Sequence, residues 1–350
     1  MADNKGMLKG KALNDFIDSI KAKPRKLLST GTVCFNMIMG GGYIEGDMIE
    51  VASESGTGKT TALLDMAGKQ LQLGRKVAYI DTEGTVKETD DGKVSILKTT
   101  NVAPFITPDN WIVLEPTTYT ELEYCLKYAL DLGFHHIIVD SITKIIPDGL
   151  LDRGVEDVTV AEKARIQTTF LEKYSSLCKK AKLTVWFVNH MKTDVQIGFN
   201  KRTTIKAGGS KALKYLCDVW IRIEGSEKLT KEDQTFEGLS EKVPFGVKSK
   251  IFTEKCRSER GGIKVPFYVI YGVGISNPYL YFDILKSRGY ITTAGSWLTL
   301  KIPTIPEIKK QGELPVVAAI AKQKDAIHNF IESIGGFKII HNPDTQQDYI

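Results

Sequence analysis

The residues of this chain best equipped for chemistry are Ser53-Glu54-Ser55-Gly56-Thr57-Gly58-Lys59-Thr60-Thr61. An apolar, strand-like run, Met48-Ile49-Glu50-Val51-Ala52, leads into them, and a helix-like run from Thr61 to Leu73 leads out. Strand, glycine turn, lysine, hydroxyl and helix in that order predict a phosphate-binding loop. Gly56 and Gly58 would let successive backbone N–H groups face the β- and γ-phosphates of a nucleoside triphosphate, with the positive helix N-terminus behind them. Lys59 would reach the phosphates as a point charge, and the Thr60 hydroxyl would ligate magnesium (Mg²⁺). The consensus opens on Gly where this chain has Ser53, which takes a tight turn less readily.

Acids and one imidazole complete the set. Asp140 ends the apolar run His136-Ile-Ile-Val-Asp140, where a carboxylate would hold Mg²⁺ through its water shell. Glu83 follows the strand-like run Lys76–Asp81; in a parallel sheet the strand C-termini gather at one edge, facing the phosphate loop. A carboxylate there could orient and deprotonate attacking water. Asn189-His190 ends the next strand at the same edge, where a polar side chain could touch a γ-phosphate and report it to the following segment. His135 and His136 start a strand at the opposite edge and read as structural.

That following segment is long and polar, without apolar period. From Lys192 to Lys214 it holds six Lys/Arg against one Asp, a net +5 that equals the charge of the whole chain. Lys192, Lys201, Arg202 and Lys206 alternate with single apolar residues, Ile197 and Phe199 among them, and with Gly208 and Gly209. Basic residues with isolated apolar wedges suit a nucleic-acid backbone whose bases can be parted, and a solvated charged loop is the plain alternative.

These groups need a scaffold to hold them. Apolar runs at 76–81, 111–114, 136–140, 183–189 and 219–223 lack period-2 alternation, the pattern of strands buried on both faces. Helical patterns at 119–132 and 162–180 lie between them, so an α/β fold with a mostly parallel, helix-covered sheet is expected. Residues 261–274 read as a hairpin or strand pair. Residues 1–28 carry an amphipathic helix with Leu13, Phe16, Ile17 and Ile20 at helical spacing, then a basic linker. Residues 280–350 mix helical patterns with spaced prolines and a polar tail.

The chain has 350 residues, 42% hydrophobic and 25% charged, in the range of ordinary globular proteins. No run approaches the roughly 18 apolar residues of a membrane span, and the first residues lack the layout of a secretory signal. Five scattered cysteines without C-x-x-C spacing suit free thiols in a reducing, cytoplasmic compartment.

Together the motifs resemble the RecA family of recombinases, from about Leu28 to about Leu300. L-S-T-G before the phosphate loop is similar to that family's I-S-T-G lead-in. Y-I-D-T-E resembles its catalytic-glutamate strand, V-D-S-I its magnesium strand, and A-G-G-S-K-A-L-K-Y the end of its second DNA-binding loop. Y-G-V-G-I resembles its last core strand. The resemblance implies a RecA-like P-loop ATPase core over 29–278, an oligomerisation helix and linker over 1–28, and a small C-terminal α/β region over 279–350. It makes Glu83 the base and His190 the γ-phosphate sensor, with His at that position similar to the phage UvsX-like members. It puts the first DNA-binding loop at 151–159 with Arg153, and Val160 and Arg165 near its end. Lys255 and Arg257 fall where the family has two lysines that reach the neighbouring subunit's ATP.

The implied activity is DNA-dependent ATP hydrolysis coupled to pairing and strand exchange. The implied partners are single-stranded DNA, homologous double-stranded DNA and further copies in a helical filament, with single-strand-binding and loader proteins as candidates. The implied setting is the cytosol of a bacterial or phage-infected cell. Residues 86–110 do not match the family's adenine-contacting segment closely, and the C-terminus lacks a strongly acidic tail. A hexameric helicase-type motor and an ATP-gated accessory factor are the alternatives.

Overall fold

The computed structural model describes residues 18, 21, 23–86, 102–150, 160–195, 203–207, 212–234, 240–257, 262–337, 340–341 and 348–349. The helix expected over 11–20 falls almost wholly outside the described residues. Strand β1 (Leu27–Leu28) pairs antiparallel with β2 (Tyr43–Ile44), with the buried helix α1 (Val33–Ile38) between them. A Cβ on Gly42 would stand 2.1 Å from the Leu28 carbonyl oxygen, so this close pairing requires glycine there.

The sheet begins with β3 (Met48–Ser53), buried at every position. Helix α2 (Lys59–Gln72) returns over it to β4 (Val77–Asp81). Then come β5 (Trp111–Leu114), α3 (Tyr119–Asp131), β6 (His136–Asp140), α4 (Val160–Ala181) and β7 (Thr184–Val195). Strand β8 (Thr203–Ala207) and the five-residue α5 (Ala212–Leu216) lead to β9 (Val219–Gln234), β10 (Ser240–Cys256), β11 (Val265–Ile270) and β12 (Gly274–Ile275). The spatial order is β12-β11-β10-β9-β3-β7-β6-β4-β5. From β9 to β5 the pairs are parallel; β10 to β12 extend the sheet antiparallel. The expected mostly parallel α/β fold is therefore present, and 265–275 form the expected strand pair.

Alternation along the strands splits the core in two. Ile49 and Val51 of β3, with Trp186 and Val188 of β7, join one apolar cluster with Phe35, Leu63 and Phe267. Met48, Val185 and Phe187 point the other way, into a cluster with Phe170, Leu171 and Leu213. Successive side chains on a strand face opposite sides, so helices must cover both. Each buried large side chain contributes about 1.5–3 kcal/mol. Helix α3 starts at a capping box: the Glu121 N–H donates to Thr118 Oγ1, and the Thr118 N–H donates to the Glu121 carboxylate.

Two strands run longer than expected. Strand β7 passes Asn189 and continues to Val195, and β8 returns beside it antiparallel, Met191 opposite Ala207 and Val195 opposite Thr203. The polar segment after His190 thus has a strand-paired stem, built from the β-branched Thr193, Val195, Thr203, Thr204 and Ile205. Likewise β9 and β10 form a hairpin reaching Gln234 and Ser240. Residues 224–234 carry mostly charged side chains, so no apolar run announces that strand.

Helix α6 (Asn277–Ser287), the antiparallel strands β13 (Ile291–Ala294), β14 (Trp297–Leu300) and β15 (Ile308–Gln311), and helices α7 (Glu313–Lys322) and α8 (Lys324–Ser333) complete the chain's larger elements. Their apolar residues, Phe282, Leu300, Ile320 and Ile331 among them, belong to the same cluster as Phe35 and Ile49. All five cysteines are free thiols. No described helix is long and apolar enough to cross a membrane.

Candidate active site

Strand β3 delivers the phosphate loop directly into α2. Gly56 and Gly58 take positive φ, 78° and 91°, and Gly58 is the N-cap, with no side chain capping the helix. The first N–H groups of α2 are thus left for a ligand. A Cβ on Gly56 would meet nothing within 4 Å, whereas one on Gly58 would stand 2.8 Å from Val269 Cγ2 of β11. Ser53 is the last residue of β3, fully buried and not among the residues with positive φ, so serine replaces the consensus glycine without backbone strain. Its hydroxyl donates to the Glu54 carbonyl and contacts Thr57 Oγ1, bracing the turn from inside. The Lys59 ammonium donates to the Glu54 and Ser53 carbonyls at 2.7 and 3.3 Å. Burial lowers its pKa, opposed by the charges of Asp140, Glu83 and Glu54. Ser55 is exposed on the turn, and Thr61 lies in the first turn of α2.

Register brings the other groups to this edge. Ser53 pairs with His190 and Asp81 with Asp140, so four strands present polar residues at one level. Thr60 Oγ1 donates to Asp140 Oδ2 at 2.7 Å, and the Tyr79 hydroxyl donates to the same oxygen at 2.8 Å. Asp140 Oδ1 is buried without a hydrogen-bond partner among the described residues. Burial raises the Asp140 pKa, and the bonds from Thr60 and Tyr79 oppose it. A hydroxyl and a carboxylate with a spare buried oxygen are hard donors of the kind Mg²⁺ takes, so the site fits that ion.

Glu83 is held from two sides. Asp81 accepts the backbone N–H groups of Glu83, Gly84 and Val86 at 2.8–3.0 Å, which fixes the turn after β4. Glu83 Oε1 accepts from the Ser141 hydroxyl at 3.1 Å and lies 2.9 Å from His190 Nε2. One ligand atom each from Glu83, Asp140 and His190 fall within 4.8 Å of one another. Imidazole is foreign to a magnesium shell, so Thr60 and Asp140 are the residues that would hold the ion, with His190 and Glu83 beside them. Tyr79, Asp81 and Ser141 escaped the sequence reading. The D-T-E spacing of an Asx turn was the available signal for Asp81.

The basic pair lies elsewhere. Lys255 Nζ donates to the carbonyls of Lys214, Tyr215 and Cys217 at 3.1, 2.8 and 2.6 Å, closing the C-terminal end of α5. Arg257 Nη1 pairs with Asp218 Oδ1 at 2.9 Å, and Asp218 Oδ2 accepts the Met48 N–H. Arg257 is therefore beside the first residue of β3, while the phosphate loop leaves the last.

Of the residues expected at DNA, Lys192 on β7 and Lys206 on β8 occupy facing ladder positions. Val160 is the first residue of α4, and Arg165 is exposed on that helix. Arg165 helps to line an open cavity of about 360 Å³ with Tyr119, Asp148 and Lys173. Arg153, Ile197, Phe199, Lys201, Arg202, Gly208 and Gly209 lie outside the described residues.

A strand feeding a glycine turn at a helix N-terminus, with a magnesium-type acid two strands away, is the arrangement of the P-loop nucleoside triphosphatases. Within that class the match is to one family: the model of the RecA N-terminal domain covers residues 17–276, and the chain belongs to that family. It is 25% identical over 303 residues to the RecA protein of a Picosynechococcus strain, across 85% of this chain and 81% of that one. It is 28% identical over 284 residues to the RecA protein of Thermotoga neapolitana, across 80% and 74% of the two chains. Against the RecA protein of Desulfotalea psychrophila it is 28% identical over 279 residues, across 79% and 72%. Among solved structures, a KaiC-like protein from Pyrococcus horikoshii OT3 aligns with a TM-score of 0.46 and 16% identity, over 72% of this chain and 98% of that one.

Proposed function

We propose that this chain is a DNA-dependent ATPase of recombination and repair that assembles on single-stranded DNA and catalyses homologous pairing and strand exchange. One observation supports the reading: the phosphate loop and the basic pair lie at opposite edges of the sheet. The phosphate loop follows Ser53, and Arg257 sits by Asp218 and the Met48 backbone. Five residue steps along β3 separate those levels, roughly 17 Å. That is too far for Arg257 to serve its own phosphate loop. A second copy stacked head to tail would bring Lys255 and Arg257 to it, as an arginine finger supplied in trans.

Each residue then has a task. The N–H groups around Gly56–Thr60 and the Lys59 ammonium bind the β- and γ-phosphates of ATP. Thr60 and Asp140 would hold Mg²⁺, which would supply positive charge to the phosphates. Glu83, steadied by Ser141 and the Asp81 turn, takes a proton from the attacking water. His190 meets the γ-phosphate and, being continuous with the β7–β8 stem, passes its presence or loss to the segment carrying Lys201 and Arg202. Residues 1–28 serve assembly, 29–278 form the ATPase and DNA-binding core, and 279–350 a smaller C-terminal unit. The setting is cytoplasmic, with single-strand-binding and loader proteins as candidate partners.

Hydrolysis measured with and without single-stranded DNA, alongside negative-stain images of the same mixtures, tests the proposal. DNA-stimulated turnover on helical filaments supports it. DNA-independent turnover or closed rings would favour a helicase-type motor, and negligible turnover an accessory factor.

A further inference from the structure

A row of polar side chains crosses the sheet beneath α5, where apolar residues would pack at lower cost. Glu50, mid-strand on β3, is 1% exposed. Its Oε1 accepts from Asn189 Nδ2 of β7 at 2.6 Å, and its Oε2 is buried with no hydrogen-bond partner among the described residues. Across β9, Arg222 Nη1 donates to Glu254 Oε1 of β10 at 2.6 Å, and Glu254 Oε2 lies 3.9 Å from Lys214 Nζ of α5. Between β3 and β10 lies Trp220 of β9, which pairs in register with Glu50 on one side and with Lys255 of β10 on the other, and Lys214 Nζ of α5 stands 4.4 Å from the centre of its ring. A buried acid half-satisfied in a parallel strand is costly, and such groups persist where they hold something in place.

The ends of the row are informative. Asn189 immediately precedes His190, and Glu254 immediately precedes Lys255. Lys214 belongs to the helix into which the second basic segment runs. The row therefore spans from the His190 end of β7 to the strand that carries the basic pair, with α5 lying over it.

We propose that Glu50 is a positioning residue that ties the Asn189–His190 end of β7 to α5 and to the Glu254–Lys255 step of β10. Nucleotide at the phosphate loop and DNA at the second segment then bias one shared set of contacts. The inference rests on the recombinase reading above. Glu50 touches neither ligand; it acts through Asn189 and α5.

The test uses the full chain and a fluorescent dT oligonucleotide, its affinity measured by anisotropy with and without ATP and Mg²⁺. In the wild type ATP should tighten DNA binding. Glu50→Leu should lose about tenfold of that tightening, a usual size for coupling between sites. DNA affinity without nucleotide and ATP affinity without DNA should stay within about twofold of wild type. Glu50→Gln, which still accepts from Asn189, should behave as wild type, and Asn189→Ala should reproduce the loss. Full ATP-induced tightening in Glu50→Leu would overturn the inference. So would ATP affinity falling in step, or Glu50→Gln failing like Glu50→Leu. Should Glu50→Leu not fold, Asn189→Ala decides alone, and full tightening in it overturns the inference. A wild type whose DNA affinity ignores ATP would overturn the recombinase reading and this inference with it.

Discussion

His190 Nε2 stands 2.9 Å from Glu83 Oε1, so the group expected to meet the γ-phosphate holds the group expected to activate water. The contact crosses from β7 to the turn after β4 and joins residues 107 positions apart. Glu83→Gln should lower DNA-stimulated hydrolysis by about 10²–10⁴-fold, the usual share of a positioned base. Nucleotide binding, followed by fluorescent ATP-analogue titration, should remain near wild type. Equal loss of both would move Glu83 from catalysis to nucleotide binding.

The opposite-edge geometry makes a mixing experiment decisive. Lys59→Ala spoils the phosphate loop and keeps the basic pair, whereas Arg257→Ala does the reverse. Each alone should hydrolyse ATP poorly. Mixed in equal amounts, about a quarter of the head-to-tail junctions would unite an intact loop with an intact Arg257. Activity should therefore rise well above the sum of the two. A mixture no better than its parts would mean that Arg257 does not act across a junction.

Salt dependence reports on the second segment. Replacing Lys201 and Arg202 by Ala should weaken binding to single-stranded DNA. The log–log slope of affinity against salt should flatten by about 1.4, at about 0.7 for each phosphate that is no longer neutralised. An unchanged slope would take both residues off the DNA backbone.

Glu50 gives a pH signature. Burial pushes its carboxyl from 4.5 up to about 7, helped by Glu254 and opposed by Asn189 and Lys214. Between those values the folded chain keeps a proton that the unfolded chain has released. Its contribution to stability is therefore complete at low pH and falls as the pH rises toward and through about 7. Glu50→Gln removes that fall. In nucleotide-free urea melts, the variant should gain on wild type by up to about 3 kcal/mol between pH 4.5 and 8. Asp47 and Asp65, both raised to about 6 by burial, add slope to both proteins and cancel in the comparison. A difference that does not change with pH would mean that Glu50 titrates normally.

Sequence reading found the parts of the site that are local in the chain. The phosphate loop is one contiguous strand-turn-helix, and Asp140 closes a short apolar run. What it missed depends on strands meeting across the sheet. Tyr79 serves Asp140 from a neighbouring strand, and Ser141 reaches Glu83 across 58 residues. The continuation of β7 was hidden because Lys192 and Asp194 break the apolar pattern, while backbone pairing with β8 maintains the strand. The engagement of Lys255 with α5 is also beyond pattern reading, since three carbonyl groups leave no mark in a sequence of side chains.

The split between the Ser53 edge and the Arg257 edge gives the chain a direction. Copies joined through those edges would form an unsymmetrical row, with each junction pairing unlike surfaces. One terminus of such a row presents a phosphate loop without a neighbour's cations, and the other presents cations with no loop to enter. The two tips would be chemically different objects. Subunits need not join and leave them at the same rate, and a capping partner could tell one tip from the other by charge alone.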